Sequence, residues 1–122
     1  MKVEFKPIKH LDVTEIKPWG YYTMIGQGPN YKIKKISVNP KARLSYQYHN
    51  KRQETWVVTS GAGIVIIDGE STDIFPGTQV LIPVFSKHRL ENTSESDALE
   101  IIEIQLGKYC EEDDITRIED DY

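Results

Sequence analysis

Two stretches of the chain carry the residue types that chemistry needs. Ser45-Tyr46-Gln47-Tyr48-His49-Asn50-Lys51-Arg52-Gln53-Glu54 runs into the apolar Thr55-Trp56-Val57-Val58. Gly77-Thr78-Gln79-Val80-Leu81-Ile82-Pro83 runs on to Lys87-His88-Arg89-Leu90-Glu91-Asn92. Residues two apart on a strand face the same way, so Gln47 and His49 can share a face. Glu54 follows a short turn and can face back toward them. His88, after the Pro83 turn, can complete the set from a neighbouring strand. Amide, imidazole and carboxylate donors without a thiolate suit one divalent metal ion, zinc foremost, with manganese, iron or nickel as alternatives. Each residue also has a plainer use: a lone His is more often structural, and Glu54 can be an edge-strand carboxylate.

The elements that must position these residues read as strands. Short β-type runs recur at 31–38, 55–59, 63–67, 79–82 and 99–105. Tyr-Lys-Ile-Lys-Lys-Ile-Ser-Val partly alternates polar and apolar residues, as a half-buried strand should. Gly61 with Gly63, Asp68-Gly69 and Pro76-Gly77 mark turns. Many short strands at close spacing predict an all-β antiparallel sandwich or barrel. Residues 1–17 read as an arm or first strand, and 18–122 as one domain. Residues 112–118 can make one helical turn, with acidic residues near the positive end of its dipole.

Composition narrows the function classes. The chain has 122 residues, a hydrophobic fraction of 39% and a charged fraction of 28%, which suits one ordinary globular domain. Net charge is −4, with acidic residues concentrated from Glu111 onward, which disfavours nucleic acid as a partner. No apolar run approaches the roughly 20 residues that span a bilayer, and the charged N-terminus lacks an apolar signal region. The expectation is a cytoplasmic protein with no membrane partner. Cys110 is the only cysteine, so no intrachain disulfide forms. Basic residues cluster at Lys32, Lys34 and Lys35 and at Lys51 and Arg52. Such clusters either receive a phosphate or form a solvated strand face.

The two chemical stretches resemble the paired motifs of the cupin superfamily. Lys41, Gln47-x-His49, Glu54 and Gly61 keep the spacing of the first motif, and Gly77, Pro83, His88 and Asn92 keep that of the second. Lys41 and Phe85 stand where the motifs have Gly. Both replacements are expected to change turn geometry, because Gly tolerates positive φ and other residues do so reluctantly. Gln47 stands for His and still offers an oxygen ligand. The Gln-x-His form, with Pro18-Trp19-Gly20, Arg52-x-Glu54-x-Trp56, His88-Arg89-Leu90-Glu91-Asn92 and Glu103-x-Gln105-x-Gly107-x-Tyr109, is similar to the type II phosphomannose isomerase domain. That domain usually forms the C-terminal part of mannose-1-phosphate guanylyltransferase fusions. The chain departs from it at Lys51 and Thr55, where the family usually has His.

The resemblance implies a jelly-roll barrel, or double-stranded β-helix, with a metal held by Gln47, His49, Glu54 and His88. It implies interconversion of mannose 6-phosphate and fructose 6-phosphate through a cis-enediol, with a sugar phosphate as small-molecule partner. Arg117 and Arg52 are the expected phosphate or sugar contacts, since guanidinium groups fit phosphate bidentately, and Lys51 is a further polar candidate for catalysis. The alternatives are a non-catalytic sugar-binding cupin and a metal-independent nucleotide-sugar isomerase or epimerase. Cupin arms often pair between copies, so a homodimer is expected by analogy.

Overall fold

The computed structural model describes residues 13–122, so the first twelve residues of the expected arm lie outside the described residues. Eleven strands follow: β1 Val13–Lys17, β2 Gly20–Gly28, β3 Tyr31–Val38, β4 Tyr46–Tyr48, β5 Gln53–Ser60, β6 Gly63–Ile67, β7 Glu70–Ile74, β8 Gln79–Ile82, β9 His88–Glu91, β10 Leu99–Leu106 and β11 Thr116–Glu119. They form a six-stranded sheet, β1-β2-β3-β10-β5-β8, and a five-stranded sheet, β11-β4-β9-β6-β7. All pairings are antiparallel. The five runs legible in the sequence are β3, β5, β6, β8 and β10, so the all-β expectation holds. Among the described residues no helix is long and apolar enough to cross a membrane.

Alternation decides what faces inward. On β10, Leu99, Ile101, Glu103 and Gln105 are buried while Glu100, Ile102 and Ile104 are half-exposed. On β5 the buried set is Glu54, Trp56 and Val58, and on β3 it includes Lys34, Ile36 and Val38. The register places Lys34 opposite Glu103, Glu103 opposite Trp56 and Gln105 opposite Glu54. Each strand therefore runs from apolar to polar on its inner face, and the polar ends meet at one end of the barrel. The other end is the core, where Val38, Val58, Val65, Ile74, Leu90, Leu99 and Ile101 pack together. The first basic cluster splits by the same rule. Lys34 turns inward and is buried, whereas Lys35 turns outward to pair with Glu100 at 3.5 Å, so a solvated strand face describes only part of it.

Turn chemistry explains the connections. Asp68 and Gly69 both have positive φ, 47° and 86°, and make a two-residue hairpin between β6 and β7. Gly61 is required between β5 and β6, since a Cβ there would lie 2.3 Å from the Ala98 carbonyl oxygen. Lys41 and Phe85 correct one expectation: with φ of 63° and 69° they keep the left-handed turns that glycine would make. The surrounding bonds hold them there; Phe85 N–H, for one, donates to the His49 carbonyl at 2.8 Å. The helical turn expected at 112–118 is also corrected. Glu112 and Asp113 make a single turn closed by Asp114 N–H to the Glu111 carbonyl, and Thr116–Glu119 is strand β11. A lone helical turn has a costly nucleus, and the extended chain gains pairing with β4 instead.

Candidate metal centre and adjoining pocket

Three strands converge at the polar end. β4 carries Gln47, with His49 just past its end; Glu54 is the second residue of β5; His88 opens β9 directly opposite Gln47. One ligand atom each from His49, Glu54 and His88 lies within 4.8 Å of the others, and all three residues are buried. His49 Nε2 is 3.2 Å from Glu54 Oε2, and His88 Nε2 is 3.6 Å from Glu54 Oε1.

The chain orients both imidazoles from behind. His49 Nδ1 donates to the Asp114 carbonyl at 2.7 Å, and His88 Nδ1 donates to the Ser86 carbonyl at 2.8 Å. A carbonyl only accepts, so each Nδ1 carries the proton and each Nε2 presents its lone pair to the centre. Burial, with the Arg52 charge adding to it, holds the His49 imidazole down at about 4. Burial also lowers His88. Both are thus neutral near pH 7, the form that binds a metal. His88 Nε2 is fully buried with no hydrogen-bond partner among the described residues. Such an orphan acceptor is costly, and a cation among the three residues would satisfy it. The residues fit a metal, and the His-Glu-His group could hold one.

Neighbours tune the carboxylate. Trp56 Nε1–H lies 3.2 Å from both Glu54 Oε1 and Glu103 Oε1. Arg52 is buried, donating from Nε to Glu54 Oε2 at 3.0 Å, with Nη2 3.3 Å from His49 Nε2. Gln105 Nε2 donates to Glu103 Oε2 at 3.0 Å. Burial, then the charge of Glu54, pushes the Glu103 carboxyl up to about 8. Asp114 anchors the loop after His49, its carboxylate accepting from the Asn50 and Lys51 backbone N–H groups at 3.0 and 2.9 Å.

A cavity of about 170 Å³ adjoins this centre, walled by Tyr22, Lys34, Gln47, Arg52, Glu103 and Arg117 among others. Gln47 Oε1 accepts from Ser45 Oγ at 2.7 Å. Arg117 pairs opposite Gln47 in the register, so Arg117, Gln47 and His88 share one face of the sheet. Arg52 both lines the cavity and touches Glu54 and His49. Lys51 lies apart: it is exposed, with Nζ 4.3 Å from the Tyr109 ring centre, and does not line the cavity. Arg89 turns away from the centre and binds the Leu44 and Glu119 carbonyls. Lys34 stands in the basic cluster that the sequence offers to a phosphate, whereas Glu103 and Asp114 are site residues that sequence reasoning did not single out. For Glu103 a usable signal existed, since it shares the inward phase of β10 with the apolar Leu99 and Ile101.

The family described as mannose-6-phosphate isomerase C-terminal matches residues 6–120. The alginate biosynthesis protein AlgA of Pseudomonas aeruginosa is 43% identical over 106 residues, covering 87% of this chain and 22% of that protein. The mannose-1-phosphate guanylyltransferase ManC of Salmonella typhimurium is 38% identical over 122 residues, covering 100% of this chain and 25% of that protein. In fold, the chain is similar to oxalate decarboxylase from Bacillus subtilis, with a TM-score of 0.76 at 17% identity, over 88% of this chain and 30% of that one. That likeness shows a jelly-roll cupin barrel and nothing of its chemistry.

These relatives correct the expected activity. They are enzymes, named for guanylyl transfer or alginate biosynthesis, and this chain spans about a quarter or less of their length. It corresponds only to their isomerase-like part, so interconversion of mannose 6-phosphate and fructose 6-phosphate is not an activity the likeness assigns to it. What the match does establish is membership: this chain belongs to the mannose-6-phosphate isomerase C-terminal family.

Proposed function

We propose that this domain holds one divalent metal ion at His49, Glu54 and His88, with Gln47 as a fourth ligand, and binds a phosphorylated sugar in the adjoining cavity. Zinc suits two imidazoles and a carboxylate best, with manganese, iron and nickel as the ions to compare. The observation that carries the reading is the pair of imidazoles pinned by their Nδ1 atoms, one with a buried and otherwise unpartnered Nε2. When bound, the ion supplies Lewis acidity toward sugar oxygens. The chain's own residues do the rest. Arg117 and Arg52 bring guanidinium groups to the cavity wall for an anionic group. Gln47 and Glu103 bring polar atoms for hydroxyls. Trp56 holds Glu54 in place.

The test is calorimetric titration of mannose 6-phosphate, and of mannose, into zinc-loaded and metal-stripped protein. The expected result is saturable binding of the phosphorylated sugar to the loaded form, with mannose weaker by on the order of tenfold or more. Equal affinity for the two sugars, or no binding of either, would contradict the reading.

A further inference from the structure

The geometry points to Lys34 as the phosphate-binding residue of the cavity, with Glu112 as a built-in carboxylate that occupies it until an anionic ligand takes its place. The inference rests on the proposed binding of a phosphorylated sugar and names the residue that recognises the phosphate.

Lys34 is unusual for a lysine, being 3% exposed on the inner face of β3. Its ammonium lies 4.3 Å from the centre of the Tyr22 ring, a cation–π contact that holds it in the cavity wall. A buried ammonium needs an anion, because removing its partner leaves an uncompensated charge. Its partner is Glu112, which forms an ion pair with it and lines the same cavity.

The two partners differ in a way that favours exchange. Lys34 is fixed by its strand and by Tyr22, whereas the Glu112 side chain is 55% exposed and sits in the turn between β10 and β11. Burial would raise the Glu112 carboxyl, but the Lys34 charge and hydrogen bond outweigh it and hold the group below the usual carboxylate range. A half-exposed carboxylate loses little by swinging into water. A phosphate monoester restores the lost charge and adds acceptor oxygens. Arg52 and Arg117 line the same cavity, so an arriving phosphate meets more than one cation.

The exchange is confined to the Glu112 side chain. Asp114, two residues on, ties the same loop to His49, Asn50 and Lys51 through three hydrogen bonds, so the loop backbone stays with the ligand residues. Neighbouring Lys32 and Glu111 show the contrast. They pair at 3.5 Å, and neither lines this cavity.

The test titrates inorganic phosphate, mannose 6-phosphate and mannose into zinc-loaded wild type, Glu112→Gln and Lys34→Met. Thermal melting and zinc stoichiometry serve as controls for folding. Removing the competing charge in Glu112→Gln is expected to tighten both phosphate-bearing probes by roughly threefold to tenfold, and Lys34→Met to weaken them by on the order of tenfold or more. Mannose is expected to be indifferent to either change. Glu112 is half-exposed, so its variant keeps the question answerable if Lys34→Met does not fold. Unchanged or weaker phosphate binding in Glu112→Gln overturns the inference, as does unchanged binding in Lys34→Met. If wild type binds mannose 6-phosphate and the variants match it, only the Lys34 assignment fails. If wild type binds no phosphorylated sugar, the broader reading fails with it. Tightening of inorganic phosphate alone marks a free-anion site and overturns the sugar-phosphate assignment.

Discussion

At one end of the barrel interior, β3, β5 and β10 contribute Val38, Val58, Leu99 and Ile101, each no more than 1% exposed. A few residues along the same strands, at the same inward phase, they contribute Lys34, Glu54, Glu103 and Gln105, each no more than 5% exposed. The two ends are equally buried and built from one register, yet one is a dry core and the other a charged site. Burial therefore does not separate core from site in this domain; polarity at an inward phase does. The polar end is expensive to build, since buried polar groups cost free energy unless paired. It is held together by Arg52, Trp56, Gln105 and the Asp114 loop. The two buried side-chain atoms left without hydrogen-bond partners among the described residues, His88 Nε2 and Gln105 Oε1, both lie at that end.

The contrast can be broken from either side. Leu99→Ala at the apolar end is expected to cost about 2–5 kcal/mol in urea unfolding, while the folded fraction still takes up zinc. His88→Leu at the polar end should do the reverse. It removes metal uptake, measured by elemental analysis, and changes metal-free stability by only about 1–2 kcal/mol. If Leu99→Ala abolishes uptake by folded protein, or His88→Leu unfolds the chain, the two ends are not separable.

The pH dependence of the metal-free protein sharpens the same point. Glu103 has a raised folded-state pKa, so its contribution is complete below the ordinary value of 4.5 and is lost as pH rises through about 8. His49 has a depressed one, so its contribution is complete above 6.5 and is lost as pH falls toward about 4. The two oppose each other between 4.5 and 6.5, and only Glu103 acts of this pair above that. Unfolding free energy should therefore fall by on the order of 2 kcal/mol between pH 6.5 and 8. Glu103→Gln should flatten the decline, and an unchanged slope in that variant would reassign it.

Smaller effects follow away from the interior. Phe85→Gly and Lys41→Gly should each stabilise the fold by about 1 kcal/mol in thermal melts, because glycine relieves a left-handed backbone. A loss of stability would mean those side chains pack more than they strain. Lys35→Ala, one residue from Lys34 but facing outward, should change stability by less than about 0.5 kcal/mol.

How legible these features were depended on the range of the physics behind them. Strands β3 and β10 could be read from local pattern because their alternation and turn residues act over a few positions. Strands β4, β9 and β11 are three or four residues long and owe their existence to pairing with strands distant in sequence, β9 with β6 and β11 with β4, which no local window contains. The nearness of His49 and Glu54 was legible because a strand and a short turn fix their spacing. The pairing of Lys34 with Glu112 and the contact of Asp114 with His49 were not, because they join residues 78 and 65 positions apart. The left-handed turns at Lys41 and Phe85 hid behind residue types that rarely make them.

The most direct test of the account is a zinc titration of metal-stripped protein, followed by calorimetry, on wild type and His88→Leu side by side. A metal centre at His49, Glu54 and His88 predicts one tightly held equivalent per wild-type chain and none in the folded variant. Equal uptake by both, or no uptake by wild type, would contradict it.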